Sequence, residues 1–157
     1  EERYPPRQAQ WFIAAQKEEG KRADKVEPYD DFSRRMVDFY AEYDRQCQRE
    51  GVVDFAELLL RSYELLSRND ALREHYASRF RHILVDEFQD TNRLQYRWLQ
   101  QLAGPESAIF AVGDDDQSIY GWRGASTANM QDLQRDFHID RVIKLEQNYR
   151  SHGNILE

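Results

Sequence analysis

Two short apolar runs, each ending in acidic residues, constrain this chain more than any other feature. Ile83, Leu84 and Val85 are too few for a helix of their own and rich in β-branched residues, which predicts a strand buried on both faces of a parallel sheet. The run ends in Asp86 and Glu87. In open α/β sheets, ligands bind in the crevice beyond the carboxyl ends of the strands. Two adjacent carboxylates repel each other, so a divalent cation is their natural partner. One can hold Mg²⁺, directly or through water, while the other takes a proton from an attacking water. The same pair also suits a solvated strand end with no chemistry.

Residues 107–113 (SAIFAVG) repeat the design. They too end in acids, Asp114, Asp115 and Asp116, followed by Gln117, Ser118, Ile119, Tyr120, Gly121, Trp122, Arg123 and Gly124. Two acid-capped strands joined by one helix's worth of chain predict parallel neighbours that open into a common crevice. Tyr120 and Trp122, set beside Arg123 and flanked by glycines, suit stacking on a flat ligand; their alternative is to fold back onto the core.

Composition bounds the function classes. With 157 residues, 40% of them hydrophobic, the chain is long enough for one core and short for two full domains. A formal charge of -7 speaks against a basic nucleic-acid module, yet the cations are 18 Arg to 4 Lys, and Arg suits phosphate contacts and stacking. Cys47 stands alone, so no internal disulfide framework forms, and the four His lie at no zinc-ligand spacing. No stretch approaches 18 apolar residues and the start does not resemble a signal peptide, so the chain reads as soluble and intracellular.

The first third reads as helical. Pro5 and Pro6 open a helix carrying Trp11, Phe12 and Ala15 that stops at Gly20. Asp30 or Asp31 caps a second, whose stripe of Phe32, Met36, Phe39, Tyr40, Tyr43 and Cys47 predicts a core face ended by Gly51. Asp54 with Glu57 predicts a capping box, and Phe55, Leu58, Leu59 and Tyr63 the buried face of a third helix. Asn69 or Asp70 caps a short helix with Leu72, Tyr76 and Phe80 on one side. Asp90 or Asn92 caps one with Leu94, Trp98, Leu99 and Leu102, and Ser126 or Thr127 one with Met130, Leu133 and Phe137 inward. Residues 141–145 predict a further strand. The alternation marks the second half as part of a doubly wound α/β domain, with Gly51 the nearest thing to a boundary.

ILVDEFQDTN at 83–92, AVGDDDQSIYGWRGA at 111–125 and LEQNYRS at 145–151, in this order and at these intervals, closely resemble three consecutive motifs of superfamily 1 DNA helicases of the UvrD, PcrA and Rep type. VDFAELL at 53–59 resembles a family segment just upstream. The resemblance implies a partial RecA-like (P-loop NTPase) parallel sheet over 52–157, with an N-terminal all-helical subdomain, part of an insertion, over 1–51. It implies ATP and Mg²⁺ as cofactors, with Asp86 on the metal and Glu87 as the base that activates water. Gln117 would sense the γ-phosphate, Tyr149 stack on the adenine and Arg150 reach the γ-phosphate as an arginine finger. Phe55, Tyr120, Trp122 and Arg123 would meet single-stranded DNA. Implied partners are single strands, single/double-strand junctions and repair or replication proteins in the cytoplasm, with no membrane.

A phosphate-cradling GxxxxGK[ST] loop does not occur in these residues: of the seven glycines only Gly20 precedes a lysine, and no glycine stands five positions before it. The family's later motifs are missing too. The expectation is an excerpt of a motor, from within the helical insertion to the far part of the first RecA-like domain, that does not hydrolyse ATP by itself. Two other classes fit some of the residues. Asp86, Glu87 and Asp114 to Asp116 could serve a metal-dependent nuclease or phosphatase, which leaves Tyr120, Trp122 and Tyr149 without a role. A non-catalytic module binding single-stranded DNA or a protein is the other.

Overall fold

The computed structural model describes residues 4–114, 128–139, 141–147 and 149. Helix α1 (Pro6–Glu18) starts with proline at its first position, where a missing N–H costs nothing. Gly20 at φ +77° turns the chain out of it. Helix α2 (Asp31–Glu50) is capped by Asp30, whose carboxylate accepts from the Ser33 N–H while the Ser33 hydroxyl accepts from the Asp30 N–H. Gly51, at φ +66°, ends it. Met36 and Tyr40 are fully buried, whereas Phe32 and Phe39 are partly exposed and lie against Tyr4. Helix α1 presents Ile13 and Lys17 inward, with Trp11 exposed in place of the predicted apolar face.

Helix α3 (Phe55–Arg68) departs furthest from expectation. Asp54 accepts from the Glu57 N–H, as the capping signal requires, but the Glu57 carboxylate turns away to Lys17, Arg22 and Arg61, so the box is half made. The buried face consists of Glu57, Leu60 and Leu66; Phe55 is 92% exposed and Leu58 is also exposed. The buried Glu57 carboxylate is matched by three cations, as the burial of a charge requires. Helix α4 (Asp70–Arg79), capped by Asn69, leads into strand β1 (His82–Val85). Helix α5 (Arg93–Leu102) carries a full capping box between Asn92 and Gln95. Strand β2 (Ala108–Ala111) follows, and then helix α6 (Ala128–Asp136).

The molecule is mostly helical around a small parallel sheet. Strands β1 and β2 pair in the register His82↔Ala108 to Val85↔Ala111, so their carboxyl ends finish level. Ile83, Val85, Ile109 and Ala111 point to one face, covered by Phe88, Tyr96, Leu99 and Leu133 from the chain after β1 and from α5 and α6. The other face is open, with Leu84 76% and Phe110 59% exposed. Burial on both faces is therefore not found: the helices that pack on the described sheet all lie on one side. Residues 141–147 form no strand and are exposed. A strand needs a neighbour for its N–H and C=O groups, and none of the described strands lies alongside this segment. Among the described residues, no helix is long and apolar enough to cross a membrane.

Candidate functional site

Where β1 stops, the chain hooks under β2: the Val112 N–H donates to the Val85 carbonyl at 2.8 Å, and the Phe88 N–H donates to the Val112 carbonyl at 2.9 Å. This hook pushes Asp86 and Glu87 out at the sheet's carboxyl end, where both are exposed. The Glu87 N–H donates to Asp86 Oδ1 at 2.9 Å. Glu87 itself sits at φ 50°, ψ 42°, the left-handed region that non-glycine residues enter at a cost of about 1 kcal/mol or more and that recurs at functional sites. A 3₁₀ turn, Phe88–Asp90, follows at once, with Phe88 buried edge-on against Tyr96.

Gln89 joins the two strand ends. Its side chain, only 4% exposed, donates through Nε2 to Glu87 Oε2 at 2.7 Å and accepts through Oε1 from the Asp114 N–H at 3.0 Å. Sequence reading passed over this residue, although it lies inside the acidic string two positions after Glu87. The predicted parallel neighbours are thus found, with Gln89 tying the Glu87 carboxylate to the backbone of Asp114. Phe55 and Tyr149 are each strongly exposed, the first at the start of α3. Gln117, Tyr120, Trp122, Arg123 and Arg150, with Asp115 and Asp116, lie outside the described residues.

The exposed Asp86 carboxylate is a ligand of the kind that Mg²⁺ takes. Asp86 offers an exposed carboxylate, and Oδ1 of Asp90 is buried yet meets no hydrogen-bond donor among the described residues. Mg²⁺ usually takes one or two protein carboxylates and completes its shell with water and phosphate. Among the described residues no three His, Cys, Asp or Glu are placed to hold a metal ion between them.

A second charged assembly, missed by sequence reading, lies between α1, α2 and α3. Lys17, 1% exposed, reaches Asp54 and Glu57 at 2.9 Å each and Asp44 at 3.4 Å. Arg22 clasps Glu57 with Nη1 and Glu64 with Nε and Nη2, and Arg61 adds a third cation to Glu57. The Tyr43 hydroxyl donates to Asp54, and the Lys17 ammonium lies over the Tyr43 ring. Burial alone would raise the Glu57 carboxyl, yet Lys17, Arg61 and Arg22 hold it at about 2. Burial likewise pulls Lys17 down, and Glu57 and Asp54 more than offset it, leaving the ammonium above its ordinary value. Lys17 lies 37 residues from Asp54 and Arg22 lies 35 from Glu57, so although Asp54 and Glu57 carry a capping signal, no local motif announces their cations.

The sequence defines the class: residues 1–138 match the family described as UvrD/REP helicase N-terminal domain, and the chain belongs to it. It is 50% identical over 157 residues to DNA helicase II of Haemophilus influenzae, and equally to DNA helicase II of Escherichia coli, each alignment covering 99% of this chain and 22% of the relative. The ATP-dependent DNA helicase Rep of Salmonella typhimurium is 49% identical over 118 residues, 75% of this chain and 18% of that protein. The chain thus spans about a fifth of the length of these relatives.

Proposed function

We propose that this chain is part of an ATP-driven DNA helicase motor that couples Mg-ATP hydrolysis to movement along a single strand and opening of the duplex. The observation that carries the reading is the exposed Asp86–Glu87 pair, held out at the carboxyl end of a parallel strand in a member of the UvrD/REP family. In it, Glu87 accepts the proton of the attacking water and Asp86 would help hold the metal. Bound Mg²⁺ would neutralise phosphate charge. Gln117, Tyr149 and Arg150 contact the nucleotide, and Phe55, Tyr120, Trp122 and Arg123 contact single-stranded DNA. Residues 1–51 belong to a helical insertion and 52–157 to a RecA-like domain. Such a motor works on the chromosome in the cytoplasm, beside repair or replication proteins.

The test is phosphate release by the full-length protein, with and without single-stranded DNA and Mg²⁺. Turnover that requires Mg²⁺ and rises with DNA supports the reading. Cleavage of DNA in Mg²⁺ without nucleotide would replace it with a nuclease.

A further inference from the structure

Gln89 joins two groups that the functional reading keeps apart, a proposed base and the chain leading to the residues proposed to meet DNA. Its amide can serve both only in the orientation found. Turned over, it would set N–H against the Asp114 N–H and oxygen against the Glu87 carboxylate. The bonds are sheltered, since Gln89 is buried. Gly113 fits the same design: a Cβ there would meet Gln89 Oε1 at 3.0 Å, the Gln89 backbone nitrogen at 3.2 Å and Met130 Cε at 3.3 Å. A side chain at 113 would make these neighbours give by a few tenths of an ångström, so glycine eases the close approach of the chain after β2.

We propose that Gln89 is a positioning residue that fixes the Glu87 carboxylate and passes to it any shift of the backbone at Asp114, so that hydrolysis responds to the strand bound further along the chain. Asp114 is three residues before Gln117 and eight before Trp122, so a strand gripping that segment pulls on the peptide whose N–H holds Gln89. The amide converts that pull into displacement of Glu87 Oε2. This rests on the reading of Glu87 as the base and names what regulates it.

The experiment compares ATP turnover by the full-length protein with and without single-stranded DNA. Gln89→Met keeps length and burial but removes both bonds. Gln89→Glu keeps the acceptor for Asp114 and turns the Glu87 contact repulsive. Both should lower DNA-stimulated kcat about tenfold or more and turnover without DNA far less, with KM for ATP within about twofold. Gly113→Ala displaces Gln89 from behind and should act in the same direction, which carries the test if either replacement of Gln89 fails to fold. A role in stability alone would lower both rates together, and that result, or an unchanged ratio of the two rates, overturns the proposal. Glu87→Gln separates the layers. If it abolishes turnover while Gln89→Met keeps the parent's response to DNA, only the Gln89 link is lost; if turnover survives it, the functional reading falls and this proposal with it.

Discussion

The Lys17–Glu57 assembly and the Asp86–Glu87 pair use the same chemical groups to opposite ends. In the first, Asp44, Asp54, Glu57 and Glu64 are met by Lys17, Arg22 and Arg61, and Lys17 and Glu57 are almost wholly out of water. In the second, two neighbouring carboxylates stand in solvent, and among the described residues no cation pairs with either. A chain that supplies three cations to one acidic cluster and none of its described ones to another has spent its own charges on the frame. The exposed pair keeps its attraction for something that arrives from outside.

One substitution applied to both regions sharpens this contrast most. In the full-length protein, Glu87→Gln should lower DNA-stimulated turnover about 10²–10⁴-fold, while unfolding free energy changes by only about 0.5 kcal/mol. Glu57→Gln should do the reverse. It leaves Lys17 and Arg22 short of a buried partner and should cost about 3–5 kcal/mol of stability in urea titrations, with the turnover of the folded fraction little changed. If both variants lost turnover without loss of stability, the division between frame and site would collapse.

Acid should act next, through Glu57. Its carboxyl is held at about 2 against an ordinary 4.5, so its stabilisation is present in full above the ordinary value and drains away as pH falls toward 2. By linkage this is on the order of 3 kcal/mol. Asp44, raised by burial, works in the other direction and trims the effect. Urea midpoints taken between pH 7 and pH 2 should fall for the parent, and the fall should be much smaller in Glu57→Gln. Equal acid sensitivity in both would assign the loss to other groups. The smallest effect concerns strand binding. Phe55→Ala and Trp122→Ala should each weaken single-stranded DNA affinity by about 1–3 kcal/mol without changing ATP affinity, as fluorescence anisotropy with a labelled oligonucleotide would show.

Local signals were the most legible part of the sequence. Asp30, Asn69 and Asn92 cap helices because a side-chain oxygen three residues before an unpaired N–H needs no tertiary help. Glycines 20 and 51 end α1 and α2 for an equally local reason. The acid-capped parallel strands were also readable, since an apolar run and its terminal acids adjoin in sequence. What failed depends on distant partners. The buried side of α3 carries Glu57, whose partner Arg22 stands 35 residues away, while Phe55 and Leu58, predicted to be buried, are exposed. Residues 141–145 have a strand's composition, yet among the described residues no strand lies alongside them. Gln89 was hidden for another reason: glutamine carries no motif weight until both ends of its amide are seen bonded.

The left-handed backbone of Glu87 bears on how this position would fare under mutation. Glycine adopts that conformation freely and asparagine more readily than glutamate, so either replacement should relieve about 1 kcal/mol. A library screened only for folded, protease-resistant protein would therefore enrich Gly and Asn at position 87. A library screened for a working motor would keep glutamate, and the disagreement between the two would mark the residue as one retained against the interest of the fold that carries it.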